Sequence, residues 1–196
     1  MEMARLSLGD IQPADSRWKH WDFEAAPTFE IETWRKGGPA LLTLLGMTLC
    51  NVEDPEAVLA HLRRSAQPGD VVALNVGIVP DEIETLLAGY RTAVLEAAAI
   101  EPLLMAGFGR DAGTFDIAFD PIESAVVGHW TVDQHIAIQL GERHLEFAVG
   151  DRIRCFLSRR FTGDRLDVLV AGAAMHLLMR DVDKLSGHVV LVFEVA

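Results

Sequence analysis

The chain has 196 residues, of which 50% are hydrophobic and 23% charged. That is the profile of one globular unit, and it excludes collagen-like, low-complexity and intrinsically disordered architectures. Seventeen Lys and Arg against 29 Asp and Glu leave a net charge of −12, a field that repels nucleic acid and anionic membrane. The longest nearly apolar stretches, 41–50 and 168–175, are shorter than the ~18–20 residues a spanning helix needs. Residues 1–12 lack the basic start and apolar run of a secretory signal, so a cytoplasmic address is expected.

In chain order, the aromatic stretch RWKHWDF at 17–23 reads as a strand near 17–22. The continuous apolar run ALLTLLG at 40–46 suits a strand inside a parallel sheet. After Asn51, the segment Glu53-Asp54-Pro55-Glu56 opens a helix with Val58, Leu59 and Leu62 on one face. Its acids lie in the first turn and Arg63 and Arg64 near its end, as the helix dipole favours. Pro68-Gly69-Asp70 makes a turn, and VVALNVGIV at 71–79 is a second strand. Strand, helix, turn and strand in that order imply two parallel strands joined by a crossover.

A long helical pattern runs from Glu82 to about Met105, with Pro102 as its expected break. From 115 onward the period becomes two in SAVVGHWTV, QHIAIQL, RHLEFAV and IRCFLSRRF, which predicts an antiparallel sheet. A helix over roughly 165–173 and a final strand at 189–195 follow. The expected fold class is α/β, a partial Rossmann-like sheet followed by an antiparallel α+β region. The division is 1–80 for the first part and 81–196 for the second.

Several motifs are weighed on their context. The run Gly107-Phe108-Gly109-Arg110-Asp111-Ala112-Gly113 has the look of a phosphate loop. Such a loop needs a strand before it and a helix after it; here the order is reversed, and a glycine-rich helix end is the better reading. None of the seven histidines forms HxxxH or HExxH, so no metal site is expected. Cys50 and Cys155 sit in apolar or strand-like runs and read as buried thiols. No serine occupies a GxSxG elbow, and no catalytic acid, base or nucleophile is assigned. Asn51 follows a central strand, where open α/β sheets bind ligands. Its amide both donates and accepts, as a polar small molecule requires, although an asparagine there can equally be a turn or cap residue.

The segment Gly46-Met-Thr-Leu-Cys-Asn51, followed by DPEAVLAHLRRSAQPGDVVALNVGIV, resembles the histidine-specific, S-adenosylmethionine-dependent methyltransferases of the ergothioneine type. In that family a strand ends in LGSTIGN and leads to an acidic helix, PGD and a further strand. The stretch Phe156-Leu-Ser-Arg-Arg-Phe161 is similar to the family's E-x-S-x-K/R-F segment, and the resemblance covers about 17–195. It implies S-adenosylmethionine as methyl donor, Asp22 and Phe23 as adenine contacts, and Asn51 and Ser158 as contacts to a small amino-acid-like acceptor. Phe156 stands where the family has its acceptor-binding glutamate, which argues against histidine as the acceptor. The glycine-rich donor loop, the ribose-binding acid and the N-terminal acceptor-binding tyrosines have no counterpart. The resemblance is thus to the family's C-terminal part, with a sheet edge left for a second copy or another chain to cover. Two functions compete: a methyltransferase or methyltransferase subunit completed by a partner, and a non-catalytic binding or scaffold module derived from the same fold.

Overall fold

The computed structural model describes residues 19–35, 37–183 and 186–196. Helix α1 (Glu30–Trp34) precedes strand β1 (Leu41–Leu44), a 3-10 turn (Thr48–Asn51), helix α2 (Pro55–Ser65) and strand β2 (Val71–Gly77). Helices α3 (Ile83–Tyr90) and α4 (Ala93–Met105) lead to strands β3 (Gly113–Asp120), β4 (Ala125–Val132), β5 (Ile136–Leu140), β6 (Arg143–Phe147) and β7 (Arg152–Arg159). Helix α5 (Gly163–Gly172) and the hairpin β8 (His176–Asp183) and β9 (His188–Glu194) close the chain. No helix among the described residues is long and apolar enough to cross a membrane.

The principal sheet has the order β1-β2-β9-β8. β1 and β2 are parallel, as the strand, helix, strand order requires, and β9 is antiparallel to β2 over its whole length. Alternation decides what is buried. Val72, Leu74 and Val76 of β2 and Val189, Leu191 and Phe193 of β9 are almost wholly inaccessible, and they share one core with Val58, Leu59 and Leu62 of α2 and Leu166 and Leu169 of α5. The intervening residues Val71, Ala73 and Asn75 are only half-buried, so the uninterrupted apolar runs are covered fully on one face alone. The last hairpin, whose first strand was hidden in the sequence by exposed residues at most positions, therefore completes the sheet that β1 and β2 begin.

The second layer is β3-β4-β7, antiparallel throughout, with β5 and β6 forming a separate hairpin. Its four period-two segments lie where the sequence places them. The long helical pattern is instead two helices. Arg91 and Thr92 interrupt it, and the Thr92 hydroxyl caps α4 by accepting from the Leu95 amide at 3.2 Å. Pro102 lies inside α4 without ending it. A left-handed Gly107 ends that helix: its amide donates to the Leu104 carbonyl and the Phe108 amide to that of Leu103, a paired C-terminal cap. The glycine-rich run is a helix stop, as its context indicated. Residues 19–22 form no strand; they are extended without a ladder partner and enter a turn at Phe23–Ala25, while positions 17 and 18 of the expected strand lie outside the described residues.

Candidate functional site

Carboxyl ends of parallel strands are where an open α/β sheet leaves backbone groups and loops free for a ligand. At the end of β1 the chain turns through Gly46 and Met47, both left-handed. The Met47 amide donates to Asn75 Oδ1 on the neighbouring strand at 3.1 Å, which fixes the turn against β2. The 3-10 turn that follows buries Leu49 and Cys50 completely and leaves Asn51 exposed. The buried Cys50 Sγ accepts from the Gly77 amide at the end of β2, 3.1 Å away, and burial raises its pKa above the ordinary thiol value. It is an inert anchor beneath Asn51. Cys155 is also free and half-buried, and burial raises its pKa as well.

Two further segments converge on the loop after Asn51. Arg159 donates from Nε to the Val52 carbonyl at 3.3 Å and from Nη2 to the Glu53 carbonyl at 3.0 Å. Arg154 pairs with the Glu53 carboxylate, and the Glu53 amide donates to Glu24 Oε2 at 3.3 Å. Strand β7 and the Asp22–Glu24 turn thus both grip Glu53, and Asn51 projects from a loop held on both sides.

Asp22 is exposed, and its carboxylate accepts from the Ala25 amide at 3.2 Å. Phe23 packs against the principal core; its carbonyl accepts from His61 Nδ1 at 2.8 Å, and its ring meets Trp21 edge-on at 6.2 Å. Ser158 differs from both. It is buried at the end of β7, with Oγ 3.2 Å from the Tyr90 hydroxyl and 3.0 Å from Arg160 Nη1. Phe156, in the glutamate position of the resemblance, lies against the Tyr90 ring at 5.4 Å between centroids. Asn51 and Ser158 therefore belong to one end of the sheet, joined through Cys50, Gly77 and Arg160. Asp22 and Phe23 flank it across Glu24 and Glu53. Tyr90 and Arg160 were missed in the sequence. Tyr90 ends a helix expected to continue, and Arg160 stood in the Phe156–Phe161 stretch with no role assigned to it.

The edge beside this end is open. Among the described residues β1 has a ladder partner only in β2, and Leu41 is 65% exposed and Leu45 58%. A groove of about 740 Å³ runs along it, walled by Trp21, Phe23, Ile31 and Trp34 on one side and by residues 40–44 of β1 on the other. Arg35 and Asp70 close its base. The buried Asp70 carboxylate accepts from Arg35 Nη1 and Nη2 at 2.6 and 2.5 Å, the Ala40 amide at 2.7 Å and the Gln67 amide at 2.8 Å. The Arg35 guanidinium and these amides hold the Asp70 carboxyl well below the usual carboxylate range.

A parallel pair extended by an antiparallel hairpin, with a polar cluster at the parallel strands' carboxyl ends, is an α/β arrangement of the Rossmann-like kind. Residues 15–191 match the model of the histidine-specific, S-adenosylmethionine-dependent methyltransferases, and the chain belongs to that family. Among solved structures it is similar to an S-adenosylmethionine-dependent methyltransferase from Clostridium acetobutylicum, at 10% identity over 100% of this chain and 69% of that one, with a TM-score of 0.49. It is also similar to an amino pentose methyltransferase from Micromonospora echinaspora, at 14% identity, 99% and 71% coverage and a TM-score of 0.44. A third is a methyltransferase from Streptomyces caelestis, at 13% identity, 90% and 62% coverage and a TM-score of 0.39. The chain thus spans roughly two-thirds of the length of these neighbours. No curated protein sequence matches it.

The family's donor is S-adenosylmethionine. Of the two residues the resemblance assigns to it, Phe23 lines the groove and Asp22, next to it, presents an exposed carboxylate. The glycines before β1, Gly37 and Gly38, form a bend that follows helix α1 rather than a strand, and most of the groove wall at that edge is apolar.

Proposed function

We propose that this chain is the acceptor side of an S-adenosylmethionine-dependent N-methyltransferase for a small amino-acid-like acceptor, completed along β1 by another polypeptide or a second copy that carries the rest of the donor site. The observation that carries this reading is the coincidence of a free β1 edge, an apolar groove along it and Asn51 at the same strand's carboxyl end. Asn51 and Ser158 would meet the acceptor, and Asp22 and Phe23 the adenine of the donor. Methyl transfer asks little acid–base chemistry of the protein. It asks that an acceptor nitrogen be held in line with the sulfonium methyl and kept from water, and such positioning lowers a barrier by several kcal/mol. A loop gripped by Arg159, Arg154 and Glu24 suits that task. Two free thiols suit a reducing, cytoplasmic setting.

Calorimetric titration of the chain with S-adenosylhomocysteine, with its mass measured on the same sample, tests this. The monomer is expected not to bind. Micromolar affinity in a monomer, about −8 kcal/mol, would overturn the need for completion; the same affinity at dimer mass would identify the second copy as the missing side. A non-catalytic binding module is the second reading, favoured by Phe156 in place of a carboxylate. Transfer of a labelled methyl group to any amino acid by the completed assembly would exclude it.

A further inference from the structure

The two edges of the principal sheet are built differently. β8 carries Arg180, Asp181 and Asp183, and its register shifts between Leu177 and Met179; charges and irregularities of this kind keep an edge strand from pairing further. β1 has neither. No residue from 37 to 52 is charged, in a chain where 23% of residues are, and its register with β2 is unbroken. The Val71 amide donates to the Ala40 carbonyl at 2.9 Å. Successive residues of a strand turn their backbone groups to opposite sides, so Leu41 and Thr43 direct theirs to the free edge.

Beyond that edge the core itself lies open. Leu62 of α2 lines the 740 Å³ groove, and Trp21, Phe23 and Ile31 of its far wall pack against the principal core. A strand laid in the groove would continue that core with alternate side chains, beside Leu42 and Leu44, and meet Leu41 and Thr43 with the others. The far wall is acidic at its rim. Asp22, Glu24 and Glu32 are exposed and belong to no ion pair among the described residues, whereas Lys19 is paired with Glu30 at 2.8 Å and Arg35 with Asp70. A second copy would bring the same acids and a net charge of −12 to the contact, so the field selects against self-pairing and for a basic segment.

We propose that β1 and this groove dock an extended segment of another polypeptide, apolar at alternate positions and flanked by Lys or Arg, which joins the four-stranded principal sheet as a fifth strand. This rests on the proposed function, which leaves the covering chain unspecified, and it names that chain's chemistry. Main-chain hydrogen bonds to Leu41 and Thr43 supply affinity, the aromatic wall selects the side chains, and the acidic rim selects the flanks.

The test is amide hydrogen exchange of the full chain, followed by NMR with the mass of the sample measured alongside. The probe is the end-blocked peptide Lys-Lys-Val-Thr-Val-Thr-Val-Lys-Lys. Its controls are the same peptide with every backbone nitrogen methylated and one with Glu in place of each Lys. The chain alone is expected to be a monomer whose Leu41 and Thr43 amides exchange fast. The Lys peptide should slow both at least tenfold and saturably, and leave the Leu42 amide, already turned to β2, unchanged. The methylated peptide should not slow them, and the Glu peptide should bind at least tenfold more weakly at low ionic strength, a gap that narrows with salt. L41K, at a position 65% exposed, should keep the parent's amide dispersion and bind the Lys peptide at least tenfold more weakly. Unchanged exchange at millimolar Lys peptide, equal protection by either control, or unchanged affinity in L41K would overturn the proposal. So would Leu41 and Thr43 amides already protected in the chain alone, which at monomer mass would give the edge to residues before Lys19 and at dimer mass to a second copy. No arm contains the methyl donor or an acceptor, so failure here is distinguishable from failure of the methyltransferase reading: donor binding at dimer mass in the calorimetric titration would uphold that reading and refute this partner.

Discussion

Replacing Asp70 by Asn is the sharpest probe of how the groove is held. Its carboxylate is fully buried and accepts four hydrogen bonds, two of them from Arg35. Asn has one oxygen and adds two N–H donors where only donors are present, so the Arg35 guanidinium loses its counter-charge and at least one amide loses its acceptor. Breaking one partner of a buried pair costs about 3–5 kcal/mol. At roughly 2–4 °C per kcal/mol for a domain of this size, the melting temperature should fall by about 6–20 °C. The pH dependence has a definite sign. Asp70 is held below its unfolded value of about 3.9, so its stabilisation is fully present above about pH 5 and is lost as pH falls through 4 toward the folded pKa. The gap between parent and D70N in urea denaturation should therefore be constant from pH 5 to 7 and shrink below pH 4. A gap under about 1 kcal/mol at pH 7, or one that persists undiminished to pH 3, would refute this account of the clamp.

Three further outcomes follow from single contacts. Gly77→Ala places a methyl within 2.9 Å of the Arg160 side chain, whose guanidinium is buried and hydrogen-bonded to Ser158 and Tyr90, so overpacking there should cost about 1–3 kcal/mol in denaturant unfolding; an unchanged midpoint would show that the guanidinium is free to move aside. Gly128→Ala meets Phe115 at 2.7 Å and Phe156 at 2.9 Å across the second sheet, and overpacking there should cost about 1–3 kcal/mol in denaturant unfolding; an unchanged midpoint would show that the two rings are free to separate. Asn51→Ala removes an exposed side chain, so stability should stay within about 0.5 kcal/mol while methyl transfer by the completed assembly is abolished; unimpaired turnover would reject the acceptor role.

Much of the fold is legible because it is written in period. The parallel pair and the four antiparallel segments follow from apolar runs and alternation that tertiary contacts reinforce. The errors have local causes. The helix break at Thr92 is a capping event, and one hydroxyl accepting one amide bond leaves no mark on an otherwise helical pattern, whereas Pro102 is conspicuous and harmless so near the helix end. β8 is an edge strand with most of its residues exposed, so it lacks the apolar alternation by which a half-buried strand is read. The stretch at 19–22 is rich in aromatics because it walls a groove, not because it joins a sheet. At the site, Asn51 and Ser158 were named through a resemblance, and only coordinates bring them to one end of the sheet. In the letters Arg160 differs from Arg159 only in falling on the basic position of the E-x-S-x-K/R-F segment. One faces backbone carbonyls and the acid Glu123, the other is sealed among neutral oxygens, and that difference is made by the end of β7 meeting the end of β2 at Ile78 and Phe161.

The site and the open edge are mechanically one feature. β1 is four residues long, carries the Asn51 turn at one end and is tied at the other to Asp70 through Ala40. A strand laid along its free edge would cover Leu41 and the aromatic wall, and it would satisfy the unpaired backbone groups that make an edge a template for association. It would also stiffen the element that carries the Asn51 turn, adding a second ladder neighbour to a four-residue strand that has one among the described residues. Arg160, by contrast, is anchored on β2 and β7, within the packed interior and independent of that edge. Covering the edge should therefore raise the rate of methyl transfer, through the proposed role of Asn51, without changing the stability of the cluster around Arg160.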